Sequence, residues 1–184
     1  MIFKSIYLDK FVSIDLETTG LNYSTDKIIE LSAVKYESGK VIDAFTKLIN
    51  PNKVISPFIE DFTGIKNSDV NNKESFLDIS NDFISFIKDL PIVGHNIQFD
   101  LIFLDKALNN THDIYNQSYI CDTYYLSKIF LYSSNSFKLQ SLCHDFDIEV
   151  GNSHRAEDDA KSAGDLFLVL LEIIQKFDLN TIND

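Results

Sequence analysis

The chain has 184 residues, of which 16 are basic and 28 are acidic, so its formal net charge is −12. Hydrophobic residues make up 45% and charged residues 24%, values that are ordinary for a globular domain and exclude a disordered chain and a disulfide scaffold. Because a chain of this length buries most of its apolar surface in one core, we expect a single domain over residues 1–184. The acidity argues against a protein that binds long duplex DNA through a basic stripe.

Three features of the sequence predict a cytoplasmic protein. No run of residues approaches the ~20 apolar residues that a membrane helix needs, so no membrane partner is expected. Residues 1–10 carry acids and bases and lack an apolar signal region. The two cysteines, Cys121 and Cys143, are too few for a stapled secreted fold and suit a reducing compartment.

The first elements predicted in chain order are strands. Residues 11–16 are typical of a buried strand, and residues 28–36 and 41–49 are two further strand-like runs. The turn at residues 37–40 contains Gly39 for a position with positive φ, which indicates a β-hairpin.

The remaining elements are predicted to be helices around one short strand. Ser56 and Pro57 fit the cap and first turn of a short helix. Apolar residues at helical spacing between Phe76 and Leu90 predict an amphipathic helix that Pro91 ends. A strand at 92–94 follows, and further helices are predicted at 101–108, 122–132, 137–145 and 160–174. This alternation predicts an α/β fold with a mixed sheet.

Three places carry candidate chemistry, and each of them is weak alone. Asp15 and Glu17 lie two apart on a strand and so share one face, where two carboxylates repel unless a cation sits between them. Asp100 follows the short strand near a helix start, where an acid is also favoured by the helix dipole. His154 precedes a helix whose amino terminus disfavours imidazolium, and Asp159 borders the buried side of that helix. Exposed acids and a surface histidine are the alternative interpretation of each.

The combination changes the interpretation, because carboxylates from two strand ends and a late helix could converge at one edge of the sheet. Four such oxygen ligands select hard cations such as Mg²⁺ or Mn²⁺. Two ions roughly 3.5–4 Å apart can stabilise both oxygens of a phosphodiester displacement. A neutral histidine could take the proton of the attacking water.

The motifs F-V-S-I-D-L-E-T-T-G-L (residues 11–21), V-G-H-N-I-Q-F-D (93–100) and H-R-A-E-D-D-A (154–160) resemble those of the DEDDh exonucleases. This 3′-to-5′ exonuclease superfamily has an RNase H-like fold, a mainly five-stranded mixed sheet flanked by helices. I-I-E-L (28–31), T-G-I (63–65) and C-D-T (121–123) are weaker shared features, and the resemblance covers roughly residues 11–170. E-T-T-G-L looks most like the proofreading epsilon subunit of bacterial DNA polymerase III and its stand-alone relatives.

The resemblance implies roles for twelve residues. The metal-binding and catalytic carboxylates would be Asp15, Glu17, Asp100 and Asp159, and His154 would be the general base. The spacing H-x-x-x-x-D selects Asp159 and leaves Asp158 as a neighbour. The 3′-terminal nucleotide would be bound by Thr18, Thr19, Gly20, Leu21, Phe99, His95 and Asn96. Two divalent cations, Mg²⁺ or Mn²⁺, would offset four of the twelve excess negative charges.

The resemblance predicts a metal-dependent 3′-to-5′ exonuclease that releases nucleoside 5′-monophosphates from the 3′ end of single-stranded DNA. The alternative is an exoribonuclease that acts on RNA or short oligoribonucleotides. A non-catalytic nucleic-acid-binding module on the same fold is a third reading, which the presence of all four carboxylates and the histidine disfavours. A DNA polymerase is a candidate partner, although the chain lacks the carboxy-terminal extension of epsilon subunits, which fits a stand-alone enzyme or a domain of a longer protein. The sequence leaves monomer and homodimer open.

Overall fold

A computed structural model of the chain describes residues 9–88, 90–109, 119–152 and 154–176. The expectation about export rests largely on residues 1–8, which lie outside the described residues. Five strands form one sheet in the order β3-β2-β1-β4-β5. The strands are β1 (Lys10–Thr18), β2 (Ile28–Glu37), β3 (Lys40–Leu48), β4 (Ile92–Gly94) and β5 (Ile120–Asp122).

The sheet is mixed because a hairpin and a crossover both build it. Strand β1 pairs antiparallel with β2, which pairs antiparallel with β3. On its other side β1 pairs parallel with β4, and β4 pairs parallel with β5. The predicted turn between β2 and β3 is confirmed, since Ser38 and Gly39 both have positive φ.

Seven helices flank the sheet within the described part of the chain. Their bounds are α1 (Pro57–Thr63), α2 (Asn67–Val70), α3 (Phe76–Ile87), α4 (Gln98–Leu108), α5 (Thr123–Phe130), α6 (Leu139–Asp145) and α7 (Ala156–Gln175). Helix α1 starts as predicted, with the Ser56 side chain accepting the Ile59 N–H and Pro57 in the first turn. It ends at Gly64, whose φ of 74° fits a left-handed cap. No described helix has the length and apolar character needed to cross a bilayer.

Each face of β1 packs against a different layer, and this decides where its acids lie. Val12, Ile14 and Leu16 belong to the large core that also contains residues of α3 and α4. Phe11 faces the other way and makes an edge-to-face contact with Phe167 of α7. Because side chains alternate along a strand, the odd-numbered residues of β1 face the α7 layer.

The structure corrects four predicted boundaries. Strand β1 runs on to Thr18, so that Glu17 is a buried strand residue rather than an acid at an exposed strand end. The amphipathic helix ends at Ile87, before Leu90. Asp122 ends β5 and caps α5 by accepting the Tyr124 N–H, so the helix predicted from residue 122 begins one residue later. Helix α7 starts at Ala156, because its polar first turn precedes the apolar spacing that marked it in the sequence.

Candidate active site

Two acids of the candidate site, Asp15 and Glu17, lie on strand β1. Asp15 and Glu17 lie on the face of the strand that turns toward α7, and Glu17 is 8% exposed. Glu30 lies directly opposite Glu17 in the antiparallel register of β2 and is also buried. Three carboxylates therefore share one edge of this face.

Two further acids come from helices that begin at the same edge. Asp100 is in the first turn of α4 and Asp159 in the first turn of α7, and both are buried. Asp15 experiences repulsion from Asp100, Glu17 and Asp159 together. The four carboxylates predicted to converge are therefore neighbours in the folded chain, although they come from three separate elements.

Burial and mutual repulsion disfavour the ionised forms of these acids. Burial, with repulsion from Asp159, Glu30 and Asp100, raises the pKa of Glu17 to about 8. Burial raises the pKa of Asp100 to about 8 against the opposing effect of hydrogen bonds from the backbone N–H groups of Asp100 and Leu16.

The pKa values of the other two acids, Asp15 and Asp159, are also raised. Burial, followed by repulsion from Asp100, raises the pKa of Asp15 well above its usual range. Burial also raises the pKa of Asp159, while hydrogen bonds from the His154 backbone N–H and the Gln140 amide oppose the shift. A cation among these carboxylates would relieve all four unfavourable environments at once.

His154 lies in the loop that enters α7, with a φ of 64°. Its backbone N–H donates to Asp159 Oδ2 at 2.9 Å. One ligand atom each from Glu17, His154 and Asp159 lie within 4.8 Å of one another, close enough to hold a metal ion. The His154 ring also contacts the ring of Phe62, with 4.0 Å between the ring centroids.

The adjacent acids Asp158 and Asp159 have different surroundings. Asp159 points into the group with Glu17 and His154. Asp158 instead accepts the Asn152 N–H at 2.7 Å and packs beneath Gly151, where a β-carbon would overlap its carboxylate. Asp158 therefore stabilises the loop before α7.

Sequence reasoning assigned no role to the ion pair that anchors this loop. Arg155 Nη2 lies 2.7 Å from Glu30 Oε1 and Arg155 Nε lies 3.1 Å from Glu30 Oε2. Glu30 Oε2 also accepts the Ala156 N–H at 2.9 Å. Two signals were available: an acid within the apolar run I-I-E-L, and the single Arg of the chain placed directly after His154.

The T-T-G-L turn is organised around an aspartate that the motifs did not include. Thr18 Oγ1 donates to the Gly20 carbonyl at 2.7 Å, and Thr19 Oγ1 donates to Asp26 Oδ1 at 3.2 Å. Asp26 packs against Gly20, where a β-carbon would overlap its carboxylate, and pairs with Lys53 Nζ at 2.6 Å. These contacts fix the turn next to Glu17.

Three of the other predicted nucleotide contacts differ in accessibility. Leu21 is 85% exposed at the tip of the turn and is available to a ligand. Phe99 is half-buried against Phe103, with ring centroids 4.8 Å apart. Asn96 is exposed at a φ of 58°, and its N–H donates to Asp122 Oδ1 at 2.9 Å.

His95 is bound to protein groups through both ring nitrogens. Nδ1 lies 2.9 Å from Thr123 Oγ1 and Nε2 lies 2.9 Å from the Phe137 carbonyl oxygen. Burial lowers the pKa of His95, so the neutral ring is favoured. These two contacts of His95 therefore link the end of β4 to α5 and to the residues just before α6.

The donor set fits hard divalent cations. Four carboxylates with raised pKa values, of which Asp15 is half-buried and the other three are buried, lie near one edge of the sheet, and oxygen ligands are those that Mg²⁺ and Mn²⁺ prefer. The described residues thus contain a cluster that can hold a divalent metal ion.

The mixed five-stranded sheet with its flanking helices is an RNase H-like fold. Residues 12–167 match the family model RNase_T, described as exonuclease, so the chain belongs to the RNase_T exonuclease family. The resemblance stated from the three motifs is confirmed.

The chain is similar in sequence to two curated relatives and in fold to one solved structure. It is 36% identical over 174 residues to the 3′-5′ exonuclease DinG of Bacillus subtilis, covering 94% of this chain and 19% of the relative. It is 33% identical over 175 residues to the PolC-type DNA polymerase III of Caldanaerobacter subterraneus subsp. tengcongensis, covering 95% of this chain and 12% of the relative. The fold matches E. coli exonuclease I in complex with a dT13 oligonucleotide at a TM-score of 0.78 and 18% identity, over 92% of this chain and 42% of that chain. The chain thus spans less than a fifth of the length of these two curated relatives.

Proposed function

We propose that the chain is a metal-dependent 3′-to-5′ exonuclease that releases nucleoside 5′-monophosphates from single-stranded DNA. The observation that carries this proposal is the convergence of Asp15, Glu17, Asp100 and Asp159 beside His154. Family membership supports the reaction, and the names of the curated relatives, a 3′-5′ exonuclease and a DNA polymerase, support DNA as the substrate.

In this proposal the four carboxylates bind two divalent cations, Mg²⁺ or Mn²⁺. Bound there, the cations supply positive charge that polarises the scissile phosphate and favours the attacking oxygen. Glu17 and Asp159 lie next to His154, whereas Asp100 is contributed by the first turn of α4. The proposed ligands therefore come from different elements around the site.

His154 is the proposed general base, because its ring lies within the group formed with Glu17 and Asp159. A positioned base contributes about 10²–10⁴-fold to such a reaction. The Arg155–Glu30 ion pair positions the loop, and the His154 N–H bond to Asp159 joins base and metal ligand in one unit.

The 3′-terminal nucleotide is proposed to bind against the turn at Thr18, Thr19, Gly20 and Leu21, with Phe99, His95 and Asn96 on the other side. The exposed side chain of Leu21 supports a contact with the base. The internal hydrogen bonds of both threonines support a preformed turn that presents its backbone to the sugar and phosphate.

We further propose residues 1–184 as one exonuclease domain that acts in the cytoplasm. The two free cysteines and the DNA-processing relatives support this location. A DNA polymerase is the proposed partner class, supported by the PolC-type relative in which the matching segment is part of a polymerase chain.

The test is product analysis on matched single-stranded DNA and RNA, labelled at the 5′ end, with Mg²⁺ and with EDTA. The proposal predicts mononucleotide release that needs the cation and a higher kcat/KM on DNA. A higher kcat/KM on RNA would replace the substrate with RNA, and release in EDTA would refute metal dependence.

A further inference from the structure

Gln140, the second residue of α6, contacts the carboxylate of Asp159 in the first turn of α7. Its Nε2 donates to Asp159 Oδ1 at 3.1 Å. The other oxygen of the same carboxylate, Oδ2, accepts the His154 backbone N–H at 2.9 Å. Both oxygens of Asp159 are therefore held by protein groups, one in α6 and the other in the loop before α7.

The helix that carries Gln140 is fixed in place on two sides. Three buried residues of α6 share an apolar cluster with three buried residues of α7: Leu139, Leu142 and Cys143 with Ala163, Leu166 and Leu170. The segment before α6 is also tied to the end of β4, because the Phe137 carbonyl oxygen lies 2.9 Å from His95 Nε2. The half-buried Gln140 side chain thus extends toward Asp159 from a backbone that is anchored to both neighbouring elements.

We infer that Gln140 is a positioning residue that holds the Asp159 carboxylate in the orientation in which it binds a divalent cation. The inference rests on the proposed function, in which Asp159 is a metal ligand, and it assigns a role to a residue outside the three motifs. Each oxygen of a carboxylate has more than one lone pair, so both Asp159 oxygens can accept their hydrogen bonds and still bind a cation.

The neutral charge of the Gln140 amide suits this role. A Lys or Arg side chain could also orient Asp159, but its positive charge would repel a cation bound nearby. The two described hydrogen-bond donors to Asp159, an amide and a backbone N–H, are both neutral. The positive side chain of Arg155 instead pairs with Glu30, which is not one of the four proposed ligands. Asp159 therefore keeps its full negative charge for the metal.

The size of the expected effect follows from how outer contacts act on metal sites. A hydrogen bond to a ligating carboxylate fixes its direction before the metal arrives, and its loss costs about 10- to 100-fold in metal affinity. Without Gln140, the Asp159 side chain would retain only one of its two described partners, the His154 N–H. Its carboxylate could then rotate, and ordering it would weaken the binding of the cation.

The test is calorimetric titration of the full chain with Mn²⁺ in the absence of nucleic acid. Gln140→Met keeps a side chain of similar size and removes the amide donor, and it is expected to weaken Mn²⁺ binding by about 10- to 100-fold. Gln140→Asn keeps the amide on a shorter side chain and should weaken binding in the same direction. Gln175→Met is the matched control, because Gln175 is exposed at the last residue of α7 and should leave Mn²⁺ binding unchanged.

The kinetics supply a readout that a purely structural role would not change. If Gln140 acts through Asp159, raising the Mn²⁺ concentration should restore the kcat of Gln140→Met, while KM for single-stranded DNA stays unchanged. The Tm of the metal-free variant should stay close to that of wild-type protein. A higher KM for DNA at unchanged Mn²⁺ affinity would make Gln140 a substrate contact and overturn the inference.

The inference and the proposed function can fail separately. Wild-type Mn²⁺ affinity in both Gln140 variants would overturn the inference, and release of mononucleotides by wild-type protein alongside that result would leave the proposed function intact. Weaker Mn²⁺ binding in both variants, without any release of mononucleotides by wild-type protein in Mg²⁺ or Mn²⁺, would support the positioning role and overturn the proposed function.

Discussion

Two nitrogens of the Arg155 guanidinium, Nε and Nη2, donate to the carboxylate of Glu30, and this ion pair joins the sheet to the loop that carries His154. Glu30 faces Glu17 across the β1–β2 register, so the pair also places a positive charge beside the acid cluster. That charge lowers the pKa of Glu17 in opposition to the three neighbouring carboxylates. One arginine thus both positions the loop of the proposed base, His154, and adds positive charge next to the acid cluster.

Loss of this arginine should lower both stability and activity. The Glu30 side chain is 1% exposed, so Arg155→Ala leaves a buried carboxylate whose one remaining hydrogen-bond partner among the described residues is the Ala156 N–H. Because Arg155 itself is half-exposed, we expect a loss of about 1–3 kcal/mol in the free energy of unfolding by urea, together with reduced release of mononucleotides. Lys10→Ala, which breaks the exposed pair with Glu37, is the control and should cost less than about 1 kcal/mol. Equal losses in the two variants would contradict this role of Arg155.

Metal binding should stabilise the fold more at high pH. In the metal-free protein the pKa values of Glu17 and Asp100 are about 8, above those of about 4 in an unfolded chain. Between these values the folded state binds more protons than the unfolded state, so the free energy of unfolding falls as pH rises toward 8. Divalent cations replace those protons, and the rise in Tm on adding Mn²⁺ should be larger at pH 8.5 than at pH 5.5.

Glu17→Gln is the variant that checks the cause of this pH dependence. It should raise the Tm of the metal-free protein at pH 8.5 and reduce the gain from Mn²⁺, because one repelling charge and one ligand are removed together. A gain from Mn²⁺ of equal size at both pH values would contradict the account.

Replacement of His154 should separate a base from a metal ligand. As the proposed base, His154→Ala should lower kcat by about 10²–10⁴-fold while Mn²⁺ affinity stays nearly unchanged. Because residue 154 has a φ of 64°, His154→Gly controls for backbone strain and should show the same kcat. A parallel loss of Mn²⁺ affinity, measured by calorimetry, would make His154 a ligand, which its distance from Glu17 and Asp159 allows.

Asp158 and Asp159 form a matched pair of adjacent acids with different surroundings. Asp159→Asn removes a charge from the cluster and should lower mononucleotide release by more than about 10²-fold. Asp158→Asn weakens the hydrogen bond from the Asn152 N–H and removes a charge near Arg155 and Asp159, but it leaves the proposed metal ligands in place and should retain most of the activity. Loss of activity in Asp158→Asn at unchanged Tm would show that the two roles have been exchanged.

The sequence predicted the local features well, because each depends on residues close together in the chain. The strand at 11–16 and the turn at Gly39 follow from alternation and backbone freedom. The four carboxylates were found through motifs, and their convergence follows from strand ends and helix starts that meet at one edge of the sheet.

Contacts between segments that are distant in the chain could not be predicted from the sequence. The role of Glu30 depends on the β1–β2 register, which places it opposite Glu17 and within reach of Arg155, 125 residues later. The contact between Phe62 and His154 likewise joins α1 to the loop before α7. Periodicity within a segment contains no information on either pairing.

Four acids of this chain are proposed to bind cations that act on a 3′ end, and the reaction of a 5′-labelled single strand of DNA tests this binding role most directly. With Mg²⁺, wild-type protein should shorten the strand from its 3′ end one nucleotide at a time and release nucleoside 5′-monophosphates, while Asp15→Asn should leave the strand intact. Shortening by Asp15→Asn at the wild-type rate, or shortening by wild-type protein in EDTA, would contradict the account.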